Sequence, residues 1–283
     1  MKIKKAIYRI SLTVFVLLFA VSGFFIIRQL KATEKAASGF SEVSAMMHQQ
    51  ISAAEALQAE SPAEADPGDY PAARVAEAAP APAPDIAYDT RLIAYNEVHK
   101  KYSDFIGWIK IPGTAIDYPV MHTPNYPEFY LNRDFNKEKS SHGTPFLDYK
   151  CDTLSPSDNM ILYGHNMKDG TMFANLNKYK DRAFFEACPT IEFDTLHTAG
   201  QYEIVAAFLG SGNTSGPDAF AYNMYTEFYN ESMFNEFINE IVSRRLYDTG
   251  IIPSFGDKLL TLSTCEYSRE DSRMVVMARE VRE

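Results

Sequence analysis

The sequence predicts one mostly β domain over residues 88–283, an antiparallel barrel or sandwich with an N-terminal helix and further inserted helices. Aromatic and aliphatic residues are dense in this part of the chain, unlike residues 31–87 before it. Short apolar runs such as NMILYGH and KLLTLSTC recur within it, and helical patterning interrupts them. Many short strands with few helices favour a barrel or sandwich over a doubly wound sheet.

The elements follow from spacing and turn signals. Apolar residues at steps of three and four predict a first helix containing Leu92, Tyr95, Val98, Tyr102 and Phe105. The runs WIKI and AIDYPVMH flank Pro112-Gly113, which is a turn signal between short strands. Further strand candidates are TPFLDY, NMILYGH, TIEFDTL, QYEIVAAFLG, KLLTLSTC and RMVVMAREV. Helical spacing predicts inserted helices at about 172–187 and 231–246, the second with an apolar stripe of Phe234, Phe237, Ile238, Ile241 and Val242.

The chain is acidic, with a formal net charge of −10 over 283 residues. Its composition is typical of a globular protein rather than a disordered one. A broad surface for nucleic acid or anionic lipid requires clustered lysine and arginine, which this sequence does not show. We therefore expect no nucleic-acid partner.

An apolar segment near the N-terminus predicts a membrane anchor. Residues 10–27, ISLTVFVLLFAVSGFFII, are uncharged and long enough to cross a bilayer as a helix. The preceding positive residues favour an N-terminus inside the cell, namely Lys2, Lys4, Lys5 and Arg9. We expect residues 1–30 to form a cytoplasmic tip and a single-pass transmembrane signal anchor, with the domain on the extracytoplasmic face. A cleaved signal peptide is the alternative, and cleavage would release the same domain.

The segment 31–87 is rich in alanine, glutamate and proline and poor in large apolar residues. Such a composition buries too little surface to offset its ordering entropy, so a flexible stalk is expected. Its Pro-Ala end should be extended and semi-rigid. The earlier stretch EVSAMMHQQISAAEALQAE could form a marginal helix.

Cys265 ends the predicted strand KLLTLSTC at the point where a polar loop begins. Side chains alternate between the faces of a strand, so Cys265 lies opposite the face shared by Leu260 and Leu262. The loop EYSRED cannot continue a core strand, whereas Arg273 begins an apolar run that can. If the two strands pair as a hairpin, residues flanking the loop have Cβ atoms about 5 Å apart. The hairpin would place a guanidinium beside a thiol.

A cysteine beside an arginine has a chemical use. Nearby positive charge favours the nucleophilic thiolate, and arginine donors can hold the oxyanion of an attacked carbonyl. Acyl transfer also needs a proton donor, for which histidine is the usual choice. His165 is the strongest candidate because it ends an apolar run and opens the loop HNMKDG. On its own, it is equally explained as a hydrogen-bonded histidine at a strand end.

The other histidines are less informative. They are His48 in the stalk, His99 on the first helix, and His122, His142 and His197 in or near turns. Solvated or capping roles account for those in turns.

These residues together resemble the sortase family, and most closely its class B. The resemblance rests on TLSTC before an arginine-led strand and on YGHNM upstream of both. It extends through FIGWIKIPGTAIDYPVMH, YLNRDF, SSHGTPFLDY and NMILYGHNMKDGTMFANLNKY, over residues 88–283. The insert at about 231–246 is similar to the extra helix of class B members.

The resemblance implies a sortase-type eight-stranded β-barrel with a transpeptidase site. Cys265 would be the nucleophile, His165 the general acid and base, and Arg273 the residue that stabilises the oxyanion. The enzyme would cut a C-terminal sorting signal of secreted proteins after its threonine and hold the fragment as a thioester on Cys265. The amino group of a cell-wall peptidoglycan precursor would release it. No cofactor and no metal are implied.

Several alternatives stay open from the sequence. Arg269, in the loop, could approach the thiol in place of Arg273. An exported cysteine peptidase or amidase would use the same residues with water as acceptor, and a surface-binding module would merely bury Cys265. The two remaining cysteines, Cys151 and Cys188, are expected to be buried free thiols rather than a disulfide.

Overall fold

The computed structural model describes residues 2–59, 86–212, 220–268 and 271–281. Four α-helices lie within these residues: α1 Lys2–Ala59, α2 Ile86–Lys101, α3 Arg182–Ala187 and α4 Glu231–Arg244. The strands are β1 Phe105–Lys110, β2 Asp117–Met121, β3 Phe146–Leu147, β4 Asn159–Tyr163, β5 Thr190–Thr195, β6 Gln201–Ser211, β7 Leu259–Cys265 and β8 Ser272–Glu280. Short 3-10 helices occupy Phe129–Asn132, Ala174–Lys180 and Tyr222–Met224.

The eight strands form a closed barrel in the order β1-β2-β3-β4-β7-β8-β6-β5. Closure follows because β1 pairs with both β2 and β5. Most pairs are antiparallel, but β2 with β3 and β4 with β7 run parallel. The mostly β barrel expected from the sequence is therefore confirmed.

The barrel is filled by one apolar cluster that draws on every strand, including Ile161 of β4 and Leu260 and Leu262 of β7. A second cluster covers the outer face of β6, β7 and β8, where Leu259 packs with Phe234 and other side chains of α4. Residues on both faces of β7 are buried, and those facing outward pack against different partners: Leu259 against α4 and Ser263 against Tyr222. The apolar stripe at 234–242 predicts this face of α4, and four of its five residues are buried: Phe234, Phe237, Ile238 and Ile241.

Three predicted helices differ from the structure in their bounds. The first, α2, ends at Lys101, so Tyr102 lies beyond it and Phe105 begins β1 instead. The segment 172–187 forms a 3-10 helix, Ala174–Lys180, and then the separate helix α3. Asp181 restarts the chain as a helix because its carboxylate accepts a hydrogen bond of 2.9 Å from the Ala183 N–H. The third helix, α4, ends at Arg244 rather than 246.

The N-terminal segment differs from the predicted flexible stalk over residues 31–59, where α1 continues as a helix, although helix was expected as a possibility from residue 42 onward. Phe40, Val43 and Met47 recur at three- and four-residue steps, and both Val43 and Met47 are buried. The Phe40 ring packs edge-on against Tyr118 of β2, with 5.1 Å between ring centroids. Residues 60–85 of the predicted stalk lie outside the described residues.

Across the part of the chain that the structure describes, no helix is both long and apolar enough to cross a membrane.

Candidate active site

Cys265 is the last residue of β7, at the rim of the barrel. It pairs directly with Arg273 in the antiparallel β7–β8 ladder, so the predicted hairpin and its register are both confirmed. The thiol is free and the residue is only partly buried. Most of β7 is buried in the barrel, but its last residue is partly exposed, so the sulfur of Cys265 lies near the surface.

Arg273 is held at the same rim by two neighbouring strands, because it also pairs with Gly210 of β6. Gly212 follows that strand, and a Cβ added there would lie 3.0 Å from Arg273 Nη2. A side chain at position 212 would therefore crowd the guanidinium and make it shift by a few tenths of an ångström. Arg269, the alternative partner of the thiol, lies outside the described residues.

His165 lies two residues beyond β4, next to β7. The parallel register pairs Tyr163 with Ser263, so His165 and Cys265 occupy equivalent positions past that pair. The Gly164 N–H donates to the Ser263 carbonyl at 3.2 Å, and the Thr264 hydroxyl donates to the Gly164 carbonyl at 2.7 Å. These bonds fix the backbone of His165 relative to the cysteine strand.

The loop that follows, residues 164–172, is named here the histidine loop. An isolated bridge between Asn166 and Met172 closes it, and the Phe173 N–H donates to the His165 carbonyl at 2.9 Å. The Asn166 carboxamide donates to the Cys265 carbonyl at 2.9 Å. Consequently, the loop that carries the histidine is bonded directly to the residue that carries the thiol.

The imidazole of His165 has one defined partner, since its Nε2 lies 2.6 Å from the Leu131 carbonyl oxygen. A carbonyl only accepts hydrogen bonds, so Nε2 carries the proton and Nδ1 is left for proton exchange in the neutral ring. Leu131 lies in the segment YLNRDF, which belongs to the family resemblance, but the sequence assigned it no role. Its role here depends on a backbone atom, which no residue pattern reveals.

Cys265, His165 and Arg273 line one groove with a volume of about 530 Å³. Its walls also include Leu131, Tyr163, Asp148, Lys150, Tyr222 and Ser263. The structure therefore brings together the three residues predicted from the sequence. The groove is large enough for a short peptide segment rather than a whole protein.

Tyr222 supports the groove from beneath and was missed by the sequence reasoning. Its hydroxyl lies 2.7 Å from the Ser263 hydroxyl, two residues before Cys265. Burial raises the pKa of Tyr222, and the Ser263 hydrogen bond and nearby Arg273 counteract that rise. Tyr222 begins a 3-10 helix of three residues, which is too short for a periodic signal to have identified it.

Cys151 and Cys188 are both buried free thiols without a disulfide, as predicted. Burial raises the pKa of Cys151 to about 12, which keeps its thiol protonated and unreactive. Both side chains belong to the apolar cluster inside the barrel. Cys265, by contrast, opens onto the groove.

Comparison with known proteins identifies the family. The family profile described as Sortase domain matches residues 109–281. Sortase B of Listeria monocytogenes is 33% identical over 187 residues, which cover 65% of this chain and 73% of that protein.

Solved structures show the same relationship. The Staphylococcus aureus sortase B–substrate complex superposes with a TM-score of 0.60 at 31% identity, covering 67% of this chain and 85% of that chain. A structure described as sortase B complexed with triglycine also superposes with a TM-score of 0.60, at 30% identity and with 67% and 86% coverage. The chain belongs to the sortase family, in its class B, and is a sortase-type cysteine transpeptidase.

Proposed function

We propose that this protein is a membrane-anchored transpeptidase that cleaves a C-terminal sorting signal of secreted proteins and transfers them to an amino group of a peptidoglycan precursor. The observation that carries the proposal is the convergence of Cys265, His165 and Arg273 on one groove. Cys265 ends β7, His165 follows the end of β4, and Arg273 lies at the start of β8. Cys265 and Arg273 are paired directly in the β7–β8 ladder.

In the first half-reaction, the Cys265 thiolate attacks the carbonyl carbon of the threonine in the sorting signal. The carbonyl electron pair moves onto oxygen, and the Arg273 guanidinium stabilises that oxyanion. The C–N bond then breaks as His165 gives a proton to the leaving amine. The products are a thioester on Cys265 and the released C-terminal fragment.

In the second half-reaction, the acceptor amine attacks the thioester carbonyl and His165 takes up its proton. Cys265 leaves as a thiolate, and a new amide bond joins the protein to the acceptor. The Leu131 carbonyl holds Nε2–H throughout, so proton exchange takes place at Nδ1 of His165. The ring therefore serves as acid and base without turning.

Two relatives support this substrate class and acceptor. A similar structure is described as a sortase B–substrate complex, and another as sortase B complexed with triglycine. Both descriptions concern those proteins. For this chain, we infer a peptide donor in the groove and an amine acceptor that reaches the same thioester.

We also infer, from the sequence rather than from the helices that the structure describes, that residues 10–27 anchor the protein in the membrane, with the barrel on the extracytoplasmic face. Support comes from the absence of charge in this run and from its large apolar side chains, such as Phe15 and Phe19. Exposed apolar side chains on all sides of a helix are stable in lipid rather than water. Extraction of the full-length chain from cell membranes tests this placement. Release by high salt without detergent would contradict it.

Cleavage of peptides tests the chemistry. The full-length chain in detergent is incubated with a panel of quenched sorting-signal peptides, with and without an added amine, beside Cys265→Ala. We expect a covalent acyl adduct on Cys265, found by mass spectrometry, that resolves onto the amine. An adduct resolved only by water identifies a peptidase instead. An inert thiol and no cleavage would reject both enzymes and leave a binding module.

A further inference from the structure

A second contact holds the segment that bonds to His165. Residues 129–144, named here the 129–144 unit, fold back on themselves. The Ser140 N–H donates to the Asn132 carbonyl at 3.1 Å, and the Thr144 N–H donates to the Tyr130 carbonyl at 3.0 Å. The two halves of the unit are therefore hydrogen-bonded to each other through the backbone, and we expect them to move together.

Gly143 fixes how tightly the unit closes. Its φ is +62°, a left-handed conformation that favours glycine, and an added Cβ would lie 2.6 Å from the Leu131 carbonyl oxygen. His142, immediately before it, is consequently placed beside the backbone of Leu131. The His142 side chain therefore starts from backbone adjacent to the Leu131 carbonyl that accepts from His165.

The 129–144 unit meets the histidine loop through two polar contacts. One is the bond from His165 Nε2 to the Leu131 carbonyl, at 2.6 Å. The other joins His142 Nε2 to an Asp169 carboxylate oxygen at 2.7 Å. Each segment thus contributes one residue near the reacting groups and one residue of the His142–Asp169 hydrogen bond.

The His142–Asp169 hydrogen bond is well defined on both sides. The His142 side chain is only 3% exposed, so its orientation is fixed by packing. Asp169 also accepts from the Thr171 hydroxyl at 2.6 Å and the Thr171 N–H at 3.1 Å. Burial alone would raise the pKa of Asp169, but the bonds from Thr171 and His142 outweigh it and lower the pKa to about 2. The carboxylate is therefore ionised at any working pH.

We propose that the His142–Asp169 pair is a positioning device that clamps the 129–144 unit onto the histidine loop and holds the Leu131 carbonyl against His165. The backbone of His165 is already tied to β7 through Gly164. The clamp fixes the position of the Leu131 carbonyl, which accepts from Nε2 of His165. It thereby fixes the His165 tautomer in which Nδ1 is left for proton exchange. This inference rests on the proposed role of His165.

Breaking the clamp should slow the chemical step more than it weakens substrate binding. A displacement of about 1 Å at a positioned group can lower a rate by about a hundredfold, and loss of one of two contacts should cost less. We expect kcat to fall by about tenfold in Asp169→Asn and in His142→Gln, with KM changed by less than about twofold. Because the two residues act as one unit, the double variant should fall no further than either single variant.

The state of the ring can be read without any substrate. We would incorporate [15N]histidine into the full-length chain and record the Nε2–H signal of His165, assigned by its loss in His165→Asn. A hydrogen bond to the Leu131 carbonyl protects this proton from exchange with water. We expect a protected signal in the wild type and its loss by exchange in both single variants.

The matched control is Lys258→Gln, which removes an ion pair at the opposite end of β4 and β7. It should keep the protected signal and the wild-type kcat. A protected His165 signal in Asp169→Asn, or a kcat equal to wild type in both variants, would overturn the proposal. If the wild type cleaves no sorting peptide, the proposed substrate fails, while the imidazole signal still decides the clamp.

Discussion

The two ends of the parallel β4–β7 pair share one backbone geometry and differ in what they hold. At the starting end, Lys258 and Asp158 form an ion pair of 2.9 Å, just before the first paired residues. At the finishing end, His165 and Cys265 extend past the last pair and face the groove. One end is closed by polar contacts, and the other presents reactive side chains.

The starting end satisfies its buried polar groups fully. The Asn159 side chain is inaccessible to solvent, accepts from the Thr261 hydroxyl at 2.8 Å and donates to the Tyr225 carbonyl at 2.8 Å. Buried polar groups with all partners in place make a segment rigid. The comparison teaches that satisfied polar contacts stabilise the starting end of the β4–β7 pair. The finishing end can therefore carry reactive side chains that face the groove.

The largest expected effect comes from removing the nucleophile at the finishing end. Cys265→Ser keeps the size of the side chain but replaces the thiol with a hydroxyl that ionises far less readily. We expect peptide cleavage to fall by on the order of 10⁴-fold or more, with an unchanged melting temperature. Fluorescence from quenched peptides and a thermal melt measure the two. A variant that retains a large fraction of the wild-type rate would show that the finishing end is not the reactive end.

The next largest effect is expected from Arg273, the ladder partner of Cys265. Arg273→Ala should lower kcat by about 10²- to 10³-fold, because one oxyanion donor is lost. Arg269→Ala should stay close to wild type, since the register pairs the thiol with the strand residue. Steady-state cleavage kinetics of both variants give the answer. If Arg269→Ala is the inactive variant instead, the role assigned to the Cys265–Arg273 pair is wrong.

The finishing end could be predicted from the sequence because its residues follow regular strands. Alternation in KLLTLSTC places Cys265 at a strand end, and the apolar run that Arg273 begins predicts the hairpin partner. The walls of the groove could not be predicted in the same way. Leu131 contributes a backbone carbonyl and Tyr222 lies in a 3-10 helix of three residues, so both depend on tertiary contacts that no periodicity encodes.

The segment before the domain shows the opposite limit. Its composition, poor in large apolar residues, favoured a flexible stalk. Three apolar residues at helical spacing, Phe40, Val43 and Met47, are nevertheless enough to pack α1 against the domain. A mean composition over residues 31–87 cannot detect a short stripe, whereas the spacing of those three residues could have done so.

A pH experiment sharpens the comparison at the finishing end, where Glu266 follows Cys265. Its carboxylate accepts from Lys180 Nζ at 2.6 Å and from the Ser268 N–H at 3.0 Å. Burial alone would raise the pKa of Glu266, but these bonds outweigh it and lower the pKa from 4.5 to about 2. The folded pKa is the lower one, so the carboxylate stabilises the fold above pH 4.5, and this contribution is lost as pH falls toward about 2.

Glu266→Gln should therefore melt at a lower temperature than the wild type near neutral pH. The difference in melting temperature between the two chains should shrink as pH falls from 4.5 toward about 2. It should vanish near the lower value, where the wild-type carboxylate is protonated as well. Thermal melts of both chains across a pH series measure it. A gap that is constant with pH would mean that the shape of the side chain matters here rather than its charge.

The smallest effect is expected at the starting end, from Lys258→Gln. The lysine side chain is 42% exposed, and ion pairs this accessible contribute less than about 1 kcal/mol to the free energy of unfolding. Asp158 keeps its bond from the Phe228 N–H at 2.9 Å, so no buried carboxylate is left without a donor. Urea unfolding should show this small loss, while kcat and KM stay at their wild-type values. A fall in kcat like that expected for Asp169→Asn would mean that the strand pair transmits strain along its length, and that stability and chemistry are not divided between its ends.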